Sequence, residues 1–159
     1  MHAIRTGVVL ALLACAIGAC APAPEATNSP ELALPSASAI TPEATVALDG
    51  IEVRVALADS ADERSRGLQG YDPLRPGEGM LFIFDDVEPR VFVMKDVAFP
   101  IDIVYIAEDG TVSAIEPLNP GDTRLVASPG PSRYVLELPQ GWSGNEGITV
   151  GSAFEVTGE

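Results

Sequence analysis

The apolar residues of this chain come in short runs closed by Gly, Pro or Asp, and none sustains the period of a long helix. Residues 51–57, IEVRVAL, alternate strictly. In residues 100–106, PIDIVYI, the same period of two puts Ile101, Ile103 and Tyr105 on one face and Asp102, Val104 and Ile106 on the other. Asp49-Gly50, set between Val46–Leu48 and Ile51–Leu57, has the composition of a two-residue hairpin link. Ser60 with Glu63 three positions later is a capping box, so Ala61–Arg66, closed by Gly67, is expected as a short helix. Pro73, Pro76, Gly77 and Gly79 force a loop. Further strands are expected at Met80–Phe84, Arg90–Met94, Ile101–Ala107, Thr111–Glu116, Leu125–Ala127, Tyr134–Leu138 and Ala153–Val156, with a helical turn within Trp142–Gly147. The pattern predicts a mostly β domain: a compact β-barrel or jelly-roll-like sandwich with one short early helix and a late helical turn. A parallel α/β sheet would need several long helical periods, which the chain lacks.

Before that domain lie two segments of different composition. Arg5, an apolar run from Val8 to Ile17, and the small residues Gly18 and Ala19 ahead of Cys20 read as a lipoprotein signal peptide over residues 1–19. The run is far short of the roughly 20 apolar residues a bilayer-spanning helix needs. Cys15 also follows a lipidation-like box, but it would leave too short an apolar core, so Cys20 is the expected lipid attachment point. Residues 20–44 are rich in Pro, Ala and Ser and read as a disordered tether, leaving residues 45–159 as one β domain. The expected location is the cell envelope, lipid-anchored on the periplasmic or extracellular side of a bacterial membrane.

Charge and composition exclude several chemistries. Loss of residues 1–19 removes Arg5 and leaves eight cationic side chains against 23 acidic ones, a formal charge of −15. Phosphate binding draws on clustered cations, so nucleic acid is not an expected partner. The only histidine is His2, and the only cysteines are Cys15 and Cys20. That removes Ser-His-Asp and Cys-His catalysis, zinc sites built on nitrogen and sulfur, and structural disulfides from the mature chain. Carboxylate, lysine, arginine, tyrosine and hydroxyl chemistry remains.

Among those groups, Asp102 shares its face with apolar neighbours and therefore needs a partner or a shifted pKa. Lys95 is the nearest cation in sequence, so a Lys95–Asp102 pair is expected to close the turn before Pro100, as a staple or as part of a site. Glu137 faces away from Leu136 and Leu138, with Arg66 and Arg133 as candidate partners. Glu78, Asp85, Asp86 and Glu88 offer oxygen ligands of the kind Ca²⁺ takes, but no D-x-D-x-D-G loop is present, so a solvated turn and no metal are expected. The glycine-containing RPGEG (75–79) and PGPSR (129–133) lack the helix and Lys-Ser/Thr of a phosphate loop. Trp142 is expected as a core or rim aromatic.

Arg66-Gly67-Leu68, Glu78 before Gly79-Met80-Leu81-Phe82 and Phe84, Met94-Lys95 with Pro100 and Asp102 downstream, then Tyr134–Glu137 and Gly141 make a long, specific pattern. It resembles the bacterial and archaeal family called domain of unknown function 192. The resemblance spans Val46–Val156 and implies a compact, mostly β exported domain, with no mechanism attached. Where the family commonly has Trp before Met-Lys and Asn after it, this chain has Val93 and Asp96. A stacking ring is thereby lost, and a negative charge is added beside Lys95.

The leading functional expectation is a non-enzymatic envelope domain that uses no cofactor. It would bind a small ligand or an envelope protein at the barrel end bearing Lys95, Asp96 and Asp102, with Arg66, Glu78 and Glu137 as further binding residues. One rival is a hydrolase acting on an envelope glycan through two of Asp102, Glu78 and Glu137. Another is a structural accessory of an envelope complex, recognisable by a large exposed apolar patch. Two carboxylates about 5–10 Å apart in one cleft would favour the hydrolase.

Overall fold

The computed structural model describes residues 37–157. The signal segment, Cys20 and the tether up to residue 36 lie outside the described residues. Strands β1 (Ala44–Leu48) and β2 (Ile51–Ala58) form the expected hairpin, Leu48 facing Ile51. Asp49 and Gly50 make the turn with φ of 50° and 82°, the left-handed geometry a two-residue hairpin link demands. Helix α1 (Ala61–Arg66) starts at the Ser60–Glu63 capping box. It is followed by β3 (Glu78–Phe92), β4 (Ile101–Ala107), β5 (Val112–Leu118), β6 (Val126–Pro139), α2 (Trp142–Asn145) and β7 (Phe154–Thr157).

These strands form one seven-stranded sheet in the order β5-β4-β6-β3-β2-β1-β7. Every neighbouring pair is antiparallel except β2 and β3, which run parallel and are joined through α1. The sheet curls until its ends meet, where Thr111 bridges Ala153 and Val112 N–H donates to the Ser152 carbonyl at 2.9 Å. The mostly β, curled architecture with two short helices is the one expected from the pattern of short runs.

Two expectations are corrected. Met80–Phe84 and Arg90–Met94, expected as separate strands, are largely one long strand, and so are Leu125–Ala127 and Tyr134–Leu138. Beyond the sheet β3 and β6 continue as a two-stranded arm, pairing Glu88 with Ser132, Pro89 with Pro131 and Phe92 with Val126. Pro89 and Pro131 sit between register shifts, where the ladder is already interrupted and their missing N–H costs little. Residues 37–43, within the stretch read as tether, lie against the domain. Ile40 is buried, Ser38 pairs with Tyr71, and Asp72 N–H donates to the Ser38 carbonyl at 3.0 Å.

Strand alternation divides the buried side chains into two cores. All seven strands contribute to the interior one, with Leu48, Val53, Leu81, Ile106, Leu136 and Phe154 among its members and Ile148 sealing it beside α2. The outer face carries Met80, Phe82, Ile103, Tyr105 and Val135, covered by Ile40, Leu68, Leu74, Met94 and Phe99 from the connections. Burying a side chain of this size contributes roughly 1.5–3 kcal/mol, so a sheet covered on both faces is held in one register. Where the outer cover is incomplete, a cavity remains.

Candidate functional site

The cavity, of about 460 Å³, lies between α1, the outer end of β3 and the connection from β3 to β4, and Glu137 of β6 lines it from the sheet. Glu137 sits between Met80 of β3 and Ile103 of β4. Alternation turns it to the outer face, away from Leu136 and Leu138. It is 6% exposed, and its Oε2 has no hydrogen-bond partner among the described residues. Burial pushes its pKa up to about 8, so the group holds its proton at neutral pH. Beside it Tyr105 donates its hydroxyl to the Val126 carbonyl at 2.8 Å. Burial, then the Glu116 charge and then that of Glu137, raises the Tyr105 pKa well above the ordinary phenol value.

Cations ring the opening. Arg64 donates to the Asp59 carbonyl and, at 2.8 Å, to the Ile83 carbonyl, with its guanidinium 5.2 Å from the Phe84 ring centre. Arg90 lies over the same ring at 3.9 Å, donates to the Ser132 carbonyl at 2.9 Å and pairs with Asp86. Phe84 is therefore within reach of two guanidinium groups, each held by backbone carbonyls. Arg66 lies over Tyr71 at 5.8 Å, and Lys95 is exposed on the connection. Phe82 and Phe92, edge to face at 4.9 Å, form the apolar wall with Leu68 and Val97. Gly67 closes α1 with a φ of 50°, and a Cβ there would stand 3.4 Å from Phe82 Cζ.

Of the six candidate binding residues, the structure brings Arg66, Lys95 and Glu137 to this cavity and places the other three elsewhere. The expected Lys95–Asp102 pair does not form. Asp102, on the interior face of β4, accepts hydrogen bonds from Gly141 N–H at 2.8 Å and Ser143 Oγ at 3.0 Å, so it anchors the start of α2 instead. Sequence proximity pointed to Lys95, but the partners are 39 and 41 residues downstream. Glu78 pairs with Arg54, its neighbour across the parallel β2–β3 step, at 2.9 Å. Asp96 is exposed in a turn with a φ of 54°. Neither Arg66 nor Arg133 pairs with Glu137 among the described residues; Arg133 lies over Tyr134 instead. Arg64, Arg90 and Phe84 are the site residues that sequence reading missed. Arg-x-Arg at 64–66 and Phe-x-Phe at 82–84 were visible, but only the fold brings them together.

A family model described as DUF192, "Uncharacterized ACR", matches residues 44–156. No curated protein matches. Among solved structures, the chain is similar to a candidate transcription regulator from Sinorhizobium meliloti 1021, at 31% identity and a TM-score of 0.68 over 76% of this chain and 98% of that one. A protein of unknown function from Novosphingobium aromaticivorans DSM 12444 is similar at 27% identity and a TM-score of 0.67, over 76% and 96%.

Proposed function

The chain belongs to the DUF192 family, which brings a fold but no assigned activity, and we propose that it is a non-enzymatic envelope module that takes a small ligand into the cavity over Glu137. The observation that carries this reading is the buried, unpartnered Glu137 carboxyl lining a cavity of about 460 Å³. Ligand sites commonly enclose about 300–1,000 Å³ of largely apolar wall with a few placed polar groups. A lipid on Cys20 would hold the module on the outer side of a bacterial membrane, a proposal resting on the signal-like segment and the tether composition.

The geometry gives the glycan hydrolase little support. Such a mechanism needs two carboxylates flanking one bond, whereas Asp102 and Glu137 occupy opposite faces of the sheet and Glu78 is paired with Arg54. Nucleic acid stays outside the proposal despite the regulator-like name of one similar structure. The chain has a net charge of −14, and its described helices have six and four residues, too short to fill a major groove. Val91, Val93 and Leu125, exposed near the end of the arm, favour a protein partner as the second reading.

The test is a fragment screen by nuclear magnetic resonance on the full chain, with neutral, anionic and cationic members. Saturable shifts at the Leu68 and Val97 methyls, with Leu138 and Ile148 still, are expected. A screen in which no fragment of any charge moves Leu68 or Val97 would sink the small-ligand reading.

A further inference from the structure

We propose that the cavity is a receptor for a small organic oxyanion, a carboxylate or phosphate carried on an apolar body, with the anion held among Arg64, Arg66, Lys95 and the Glu137 carboxyl. The inference rests on the small-ligand reading above and names the chemical class of that ligand. Four of the chain's nine Lys and Arg residues (Arg64, Arg66, Arg90 and Lys95) line this one cavity, although acidic residues outnumber basic ones 23 to 9. Of these four only Arg90 has a carboxylate partner among the described residues, leaving three cations with charge to offer. A recess lined by one sign of charge and walled by apolar groups focuses its field on an incoming ion.

Part of the arrangement is also set before a ligand arrives. Backbone carbonyls and the shared Phe84 ring fix Arg64 and Arg90, so little guanidinium freedom remains to be lost on binding. Among the described residues Glu137 is the only carboxyl lining the cavity, and with its proton on it is a donor. An anionic oxygen would accept that proton in a short, charge-assisted hydrogen bond and relieve the unpartnered Oε2. Phe82, Phe92, Leu68 and Val97 then receive the apolar body, and the cavity volume suits a small molecule rather than a polymer segment.

The proton on Glu137 also predicts how binding responds to pH. The groups facing Glu137 are Tyr105 on β4, whose pKa is raised by burial, and the cations of α1, β3 and the β3–β4 connection. Because burial holds the Glu137 pKa near 8, ionisation above that value places a like charge against the ligand and weakens binding.

Four probes with a common phenyl body test the class by titration calorimetry on the full chain, with the Leu68 and Val97 methyls as the site readout. They are 3-phenylpropanoate, phenyl phosphate, 3-phenylpropanamide and 3-phenylpropylamine. At least one anion should bind tenfold or more tighter than the amide and the amine, and the stronger anion identifies carboxylate or phosphate as the source. Its affinity should fall at least fivefold in the surface variant Arg66→Gln/Lys95→Gln and several-fold between pH 7 and 9. Glu137→Gln should remove that pH dependence; a fall of equal size in this variant would take Glu137 out of the anion site. Amide or amine binding as tight as either anion, with the same methyls shifting, overturns the oxyanion class and leaves the small-ligand reading standing. Silence from all four probes overturns the oxyanion class as well, and the fragment screen then decides whether the cavity binds small molecules of another kind.

Discussion

Glu137 couples proton uptake to folding. The native state holds this proton to about pH 8, whereas a free glutamate releases it near 4.5. Between those values the folded chain binds more protons than the unfolded one, so this residue makes stability fall as pH rises, and it adds no further slope above the window. Urea unfolding should therefore show a decline in wild type that is shallower in Glu137→Gln, the difference approaching about 1.4 kcal/mol per pH unit at its steepest. Parallel profiles would show that Glu137 titrates as an ordinary surface glutamate. Asp102 makes a separate prediction. Removing its carboxylate leaves Gly141 N–H and Ser143 Oγ without their acceptor, so Asp102→Ala should destabilise by about 1–3 kcal/mol. In double-mutant cycles Asp102→Ala should couple with Ser143→Ala and add to Lys95→Met within about 0.5 kcal/mol. Coupling to Lys95 instead would reinstate the staple that sequence proximity suggested. Alternation made it legible that Asp102 and Glu137 are set in apolar strands, because facing is a local property. Which group meets each carboxyl was not legible, because that depends on strands and turns distant in sequence.

Between elements, β3 approaches β6 closely at Gly79. A Cβ on Gly79 would lie 2.7 Å from the Glu137 carbonyl oxygen and 2.9 Å from Leu138 Cδ2, so backbone and core would both have to shift. Gly79→Ala should lower the denaturation midpoint by the equivalent of about 1–3 kcal/mol, the usual cost of overpacking. Gly130→Ala is the control, since nothing stands within 4 Å of the added atom, and it should change stability by less than about 1 kcal/mol in either direction. Equal effects would mean that β3 and β6 do not meet tightly at Gly79. The β1–β2 hairpin and α1 were readable from sequence, since Asp49-Gly50 and Ser60–Glu63 act through bonds a few residues long. The continuity of β3 and β6 was not, because Pro89 and Pro131 signal a break unless the two are known to face each other across an irregular arm.

Over the whole molecule, the proposed anchor is checked by metabolic labelling with a fatty-acid probe, which should mark wild type and spare Cys20→Ser. Label that persists in Cys20→Ser and disappears in Cys15→Ser would move the attachment point to Cys15. The meeting of the sheet's two ends at Thr111 and Ala153 bears on life at such a surface. Anchored molecules are crowded in two dimensions, and an unpaired strand edge is a template on which a neighbour's strand can add. Here the β5 edge carries Pro117, which has no N–H to offer, and Arg124 occupies the Pro117 carbonyl at 3.0 Å. The other edge, β7, is four residues long and carries the charge of Glu155. The contact at one corner and the blunted edges together shorten the exposed ladder, so copies held by the proposed anchor should pack without seeding cross-β aggregates.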